Sequence, residues 1–133
     1  MQFTVSIDSS RLRIPQVREE FLRKFTQEII TTGLEVETDA KLKLTTDEHI
    51  DTGRLRASIH TEYKGHTSHN YSDMEGNSFQ GALNLRLREL DVIVGTNVVY
   101  AQKIERLDSY LFWAFEKNKA PLTRRLRNII NSL

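Results

Sequence analysis

At 133 residues the chain is the size of one domain, and 38% hydrophobic against 28% charged residues is the balance of a folded domain rather than a disordered chain. Nineteen basic and 18 acidic residues leave a net charge of +1, so the overall balance calls for no polyanionic partner and nucleic-acid binding would need a local patch. The absence of cysteine removes disulfides, thiolate catalysis and cysteine-based zinc sites together.

The N-terminal MQFTVSIDSSRLRIP lacks the basic start and apolar run of a signal peptide. No window reaches the length of a membrane span, so the expectation is a protein made and used in a cytoplasm, with no membrane partner. Phe3, Val5 and Ile7 alternate with polar residues as a short strand. From Pro15 the period changes: Leu22, Phe25, Ile29, Gly33, Val36, Ala40 and Leu44 step by three and four along one face of a long amphipathic helix. Thr31, Thr32 and Gly33 are weak helix formers, so a bend is expected there if anywhere.

Ile59, Thr61 and Tyr63 alternate as a strand, and residues 64–81 read as a long, flexible, glycine-containing loop. Leu83, Leu85 and Leu87 then form one face of a strand that a turn near Glu89 would pair, antiparallel, with DVIVGT. NVVYAQKIE reads as a further strand or extended edge. The C-terminal segment is helical, capped by Asp108 or Ser109 and interrupted at Ala120-Pro121, beyond which Leu122, Leu126, Ile129 and Ile130 lie on one side. The expected architecture is a single α+β domain over residues 1–133: a long N-terminal amphipathic helix and C-terminal helices packed on a three- to four-stranded, mainly antiparallel sheet.

Residue chemistry argues for contacts rather than catalysis. His49, His60, His66 and His69 lack ligand spacing, so no metal is expected, and Ser58 is not expected to pair with His60 as nucleophile and base. No G-x-S-x-G, Walker or dinucleotide fingerprint is present, and neither enzyme activity nor a cofactor is expected. The arginines Arg54, Arg56, Arg86, Arg88, Arg124, Arg125 and Arg127 could form a basic surface. Without aromatic residues spaced for base stacking, direct nucleic-acid recognition is the weaker reading. A long helix, a polar loop and the aromatic segment around Trp113 suit a subunit that meets neighbours.

Four features in fixed order carry a resemblance: the amphipathic helix, DTGRLRASI, VIVGTNVVYAQKIE and YLFWAFEKNK. This order resembles the tail-completion proteins of long-tailed double-stranded DNA bacteriophages, also called neck or head–tail joining proteins. Asp51, Thr52, Gly53, Arg54, Leu55, Ser58 and Ile59 match the first motif of that family, and Val94, Gly95, Tyr100, Ala101 and Glu105 the second. Tyr110, Leu111, Ala114, Glu116 and Asn118 resemble the third. Ile50, Ser109 and Trp113 stand where that family usually has other residues.

The resemblance implies a structural virion protein, added to the head-proximal end of a tail so that it can join a DNA-filled head. It also implies a homo-oligomeric ring, with the tail tube or tail terminator on one side and the head connector or head-completion proteins on the other. The site is then the head–tail interface of a virion assembled in a bacterial cytoplasm. Candidate partner contacts are Arg54, Arg56, His66, His69, Tyr71, Met74, Phe79, Arg86 and Arg88, the loop 64–81 ordering on contact. The alternative is a small cytoplasmic binding module, with nucleic acid as one ligand class. Within DTGRLRASIH, Asp51 is expected to cap a short turn, Gly53 to reverse the backbone, and Leu55 and Ile59 to enter the core.

Overall fold

A computed structural model describes residues 2–4, 15–49 and 51–132. Its elements in chain order are β1 (Gln2–Thr4), α1 (Pro15–Thr46), α2 (Arg54–Ser58), β2 (His60–Tyr63), β3 (His69–Ser72), β4 (Ser78–Gly81), β5 (Asp91–Gly95), α3 (Ala101–Leu107) and α4 (Tyr110–Asn131). The expected alternation at Val5 and Ile7 lies outside the described residues. The class is α+β as expected, with the long helix and the C-terminal helices on small antiparallel sheets.

The 32 residues of α1 span about 48 Å at about 1.5 Å per residue. Phe21, Phe25, Ile29, Val36, Ala40 and Leu44 are all buried on one stripe. The helix runs unbroken through Gly33, where it meets the sheet. A Cβ there would lie 2.7 Å from Val92 Cγ1 and 2.8 Å from Thr61 Cγ2. The Thr61 hydroxyl sits 3.1 Å from both the Gly33 carbonyl and Glu37 Oε1, tying β2 to the helix at the same point. Glycine is present for close approach rather than for a bend.

The main sheet has the order β1–β5–β2, antiparallel throughout, with Phe3 opposite Val92 and Thr61 opposite Val94. Its central strand, Asp91–Gly95, is buried along its whole length. On β2, Thr61 faces α1, so strand alternation turns His60 and Glu62 to the other side. That side is covered by β3 and β4, which pair as a hairpin with Tyr71 opposite Phe79, and by the connection that follows. The chain therefore forms three layers: helices, sheet, and a cover of hairpin and strap.

Residues 64–81 are mostly this hairpin rather than one long loop. Its turn is built on Asp73, whose carboxylate accepts the N–H groups of Glu75 (3.0 Å) and Asn77 (2.9 Å) and the Asn77 side-chain amide (3.0 Å). Gly76 supplies the positive φ of 86°. The Leu83–Leu87 strand does not form, because both edges of β5 are already taken by β1 and β2. Asn84 adopts φ 55°, which breaks an extended run. The segment is held instead by polar ties, the Leu83 N–H on Glu62 Oε2 (2.8 Å) and the Arg88 N–H on Asp91 Oδ2 (2.9 Å).

The expected strand over Asn97–Glu105 is also absent. The chain instead turns at Val98 to Ala101 and winds into α3. Nor does Pro121 end a helix: α4 is continuous over 22 residues. Its buried positions, Tyr110, Ala114, Asn118, Leu122 and Leu126, recur every fourth residue and lie along α1. An interior proline costs about 3 kcal/mol, and burying two leucines returns about 1.5–3 kcal/mol each, so packing at least offsets the break.

Candidate functional site

The residues singled out from the sequence converge on a corner between α1 and the sheet. Gly53 is left-handed (φ 79°) and starts α2, placing Leu55 in the core cluster with Ile59, Val94, Val98, Ala101, Tyr110 and Ala114. The three motif segments thus share one core. Asp51 is exposed and does not cap the turn; the Arg54 N–H is taken by Thr52 Oγ1 (3.3 Å). Gly95 pairs with His60 at the end of β5. Glu105 has a role composition did not reveal, because its two carboxylate oxygens accept the N–H groups of Leu111 (3.0 Å) and Phe112 (3.1 Å). It caps α4 in place of Asp108 or Ser109, since the Ser109 side chain makes no capping bond and Asp108 is paired with Lys43 (2.9 Å).

Most of the expected partner contacts meet each other within the chain. His60, His69, Tyr71 and Phe79 form a continuous ring stack, with centroids separated by 5.0, 5.7 and 5.4 Å in turn. The Arg54 guanidinium caps it, 4.1 Å from the Phe79 centroid. Local rules explain the alignment: His69 and Tyr71 are two apart on one strand face, and Phe79 is the cross-strand partner of Tyr71. The Met74 N–H bonds the Thr52 carbonyl (2.6 Å), and the Met74 side chain lies where a Gly53 Cβ would fall (2.9 Å). His69 Nε2 lies 2.9 Å from the Ala57 carbonyl. DTGR is therefore the dock of the hairpin.

His66 stands apart, stacked on Tyr63 at 5.1 Å. Arg56 bonds Thr45 Oγ1 (3.1 Å) and Arg88 pairs with Asp91 (3.3 Å). Arg86 is exposed and joins neither stack nor dock. Arg125 is a tie between helices, with Nη2 on Thr32 Oγ1 (2.8 Å) and Nε 2.9 Å from Glu28 Oε2 in an ion pair off the hydrogen-bond line. Beside the dock lies a cleft of about 430 Å³, lined by Asp51, Arg54, Arg56, His49, Tyr100 and Ile104.

Sequence reasoning missed a buried pair beneath the stack. His60 Nε2 lies 2.6 Å from Glu62 Oε2, and both side chains are shielded from water. His60 Nδ1 is 2.8 Å from the Ser58 carbonyl, which can only accept, so that nitrogen carries a proton. Ser58 Oγ meets the Leu55 carbonyl (2.7 Å) and Thr96 Oγ1 (2.5 Å), so no nucleophile–base contact forms with His60. Two polar residues spaced i, i+2 in a strand buried on both faces were the available signal.

Further out, Lys43 Nζ bridges Asp47 (2.6 Å) and Asp108 (2.9 Å). Hydrogen bonds to Asp47 and Asp108 raise the Lys43 ammonium above its ordinary value, and the bond from Lys43 holds the Asp47 carboxyl below its own. Burial, with Glu105 and Tyr100 nearby, pushes the Tyr110 phenol up; its hydroxyl donates to the Ala101 carbonyl (3.3 Å). No group of three or more histidine or carboxylate residues that could hold a metal occurs among the described residues, and no described helix is long and apolar enough to cross a membrane. Comparison with protein-family models, with curated proteins and with solved structures finds no match.

Proposed function

We propose that the chain is a structural subunit at the head-proximal end of a phage tail, acting in a homo-oligomeric ring that makes the tail competent to join a DNA-filled head. The observation that supports it is the shared core of the three signature segments: Leu55 and Ile59, Val94 and Ala101, Tyr110 and Ala114. Residues that carry the resemblance are thereby those that make the fold, as a family signature of architecture requires. The remaining partners in this reading are the tail tube or terminator and the head connector or completion proteins.

The test is deletion of the gene from the genome that carries it, followed by induction and electron microscopy. Filled heads and finished tails that stay separate, and join when the purified protein is added, are expected. Joined particles without the protein refute the reading. Retention on DNA that falls steeply with added salt would favour the nucleic-acid-binding module instead.

A further inference from the structure

The β3–β4 hairpin holds its own shape. Its strands pair from His69–Gly81 at the base to Ser72–Ser78 near the tip, and the bonds of the Asp73 turn stay inside it. Neither core cluster includes a hairpin residue, and of the hairpin's side chains only Tyr71 is buried.

What it covers is polar. His60 and Glu62 are 2% and 1% exposed beneath it. Layers are held together chiefly by apolar burial, and shutting two ionisable side chains away from water costs hydration that opening would return. The hairpin is therefore held less firmly than α1 and α4, which share the apolar clusters.

Its attachments fall at two ends. At the base His69 stacks on His60 at 5.0 Å, and its Nε2 lies 2.9 Å from the Ala57 carbonyl. At the tip the Met74 N–H bonds the Thr52 carbonyl, the Met74 side chain lies over Gly53, and Arg54 caps Phe79. Between them the Asn97 side chain donates to the Gln80 carbonyl (3.4 Å) and accepts from the Tyr71 hydroxyl (3.5 Å), both at the long limit of a hydrogen bond. The chain enters through Thr67 and Ser68 and leaves through Ala82, residues that belong to no helix or strand. Because His69 and Gly81 are paired, these two connections lie side by side and define one axis.

We propose that the hairpin is a hinged cover over the His60–Glu62 face, turning on Thr67, Ser68 and Ala82 and latched at its tip by Thr52, Gly53 and Arg54. An isolated two-stranded hairpin is marginal in water, so the closed position dominates and the open one is a minor state. Opening uncovers His60, Glu62 and the Thr52 carbonyl together. A partner that binds this polar face draws the cover open by its preference for the open state. The inference gives DTGR a part in a motion, and it stands whether or not the chain is a phage tail subunit.

His60 is the reporter, because a side chain 2% exposed meets diethyl pyrocarbonate only when the cover lifts or the whole fold opens. In the unaltered protein, mass spectrometry at low extents of reaction should find His60 modified more slowly than exposed His66. It should also find His60 less protected than the β5 amides are from exchange, each rate taken against that in the unfolded chain. Thr52→Cys with Met74→Cys, two positions joined by a backbone hydrogen bond in a chain that has no other cysteine, can close one disulfide across the latch. Oxidised, that variant should protect His60 as fully as the β5 amides; reduced and alkylated, it should react at least as fast as the unaltered protein, with His66 unchanged throughout. Arg54→Ala, which needs no disulfide, should speed His60 by about 2- to 5-fold, the loss of one exposed cation–π contact. Equal His60 rates in the oxidised and the reduced, alkylated forms overturn the proposal. So does a His60 in the unaltered protein as protected as the β5 amides.

Discussion

Replacing Phe79 with alanine removes the ring that stands between Tyr71 and Arg54. Two contacts go with it, the stack at 5.4 Å and the guanidinium at 4.1 Å. An aromatic pair contributes about 0.5–1.5 kcal/mol beyond burial, and a solvent-accessible cation–π contact about 0.5–1 kcal/mol. Opening of the hairpin should therefore become easier by about 1–2.5 kcal/mol, or about 5- to 60-fold, since about 1.4 kcal/mol is tenfold. Phe79 belongs to neither core cluster, so the effect is local rather than global.

Amide hydrogen exchange resolves the two. Exchange at His69–Ser72 and Ser78–Gly81 should accelerate by that factor while the β5 amides hold their rates. A double-mutant cycle with Arg54→Ala should return a coupling of about 0.5–1 kcal/mol for the capping contact. Hairpin amides that already exchange as freely as an unstructured loop in the unaltered protein would refute the docked hairpin. Equal acceleration throughout the sheet would refute its independence.

Gly33→Ala should destabilise, although helix propensity alone favours alanine by about 1 kcal/mol, because a Cβ 2.7 Å from Val92 forces α1 off the sheet. Urea denaturation should show a net loss of up to about 2 kcal/mol, while exposed Thr31→Ala in the same turn gains a few tenths; stabilisation by Gly33→Ala would refute the close approach. Glu105→Ala should cost about 1 kcal/mol, the scale of a lost helix cap, whereas Asp51→Ala should stay within about 0.5 kcal/mol; reversed magnitudes would return the cap to Asp51. Hydrogen bonds from the Asn77 side chain first, then from the Asn77 and Glu75 backbone, hold the Asp73 carboxyl below its ordinary 3.8, against the opposing pull of partial desolvation. That depression makes its contribution to the hairpin complete above the ordinary value and lost as pH falls through the lower folded value. An NMR titration should place the Asp73 midpoint below 3.8, with faster exchange at Glu75 and Asn77 beneath it. A midpoint at or above 3.8 would contradict the turn geometry.

Local pattern made α1 legible, because a stripe with period 3.6 has one way to bury itself, and the same holds for the Val92–Val94 core of β5. The leucine alternation at 83–87 was a true local signal with no place to act, since a strand needs an open edge and β5 had none. Pro121 was misleading for the converse reason: its local cost is fixed, and only the burial of Leu122 and Leu126 against α1 shows that it is offset.

At the candidate site the sequence marked which residues matter better than what they meet. Arg54, His69, Tyr71, Met74 and Phe79 look like free contacts in a line of letters, and tertiary packing turns them upon one another. Composition and periodicity by themselves determined the α+β class, its long helix and its turn glycine at position 53, because these follow from side-chain spacing and backbone sterics along a few residues. Strand order, the cap from Glu105 and the buried His60–Glu62 contact were decided only in three dimensions. Each depends on which distant segment arrives to occupy an edge, an amide or a face, and no local rule carries that.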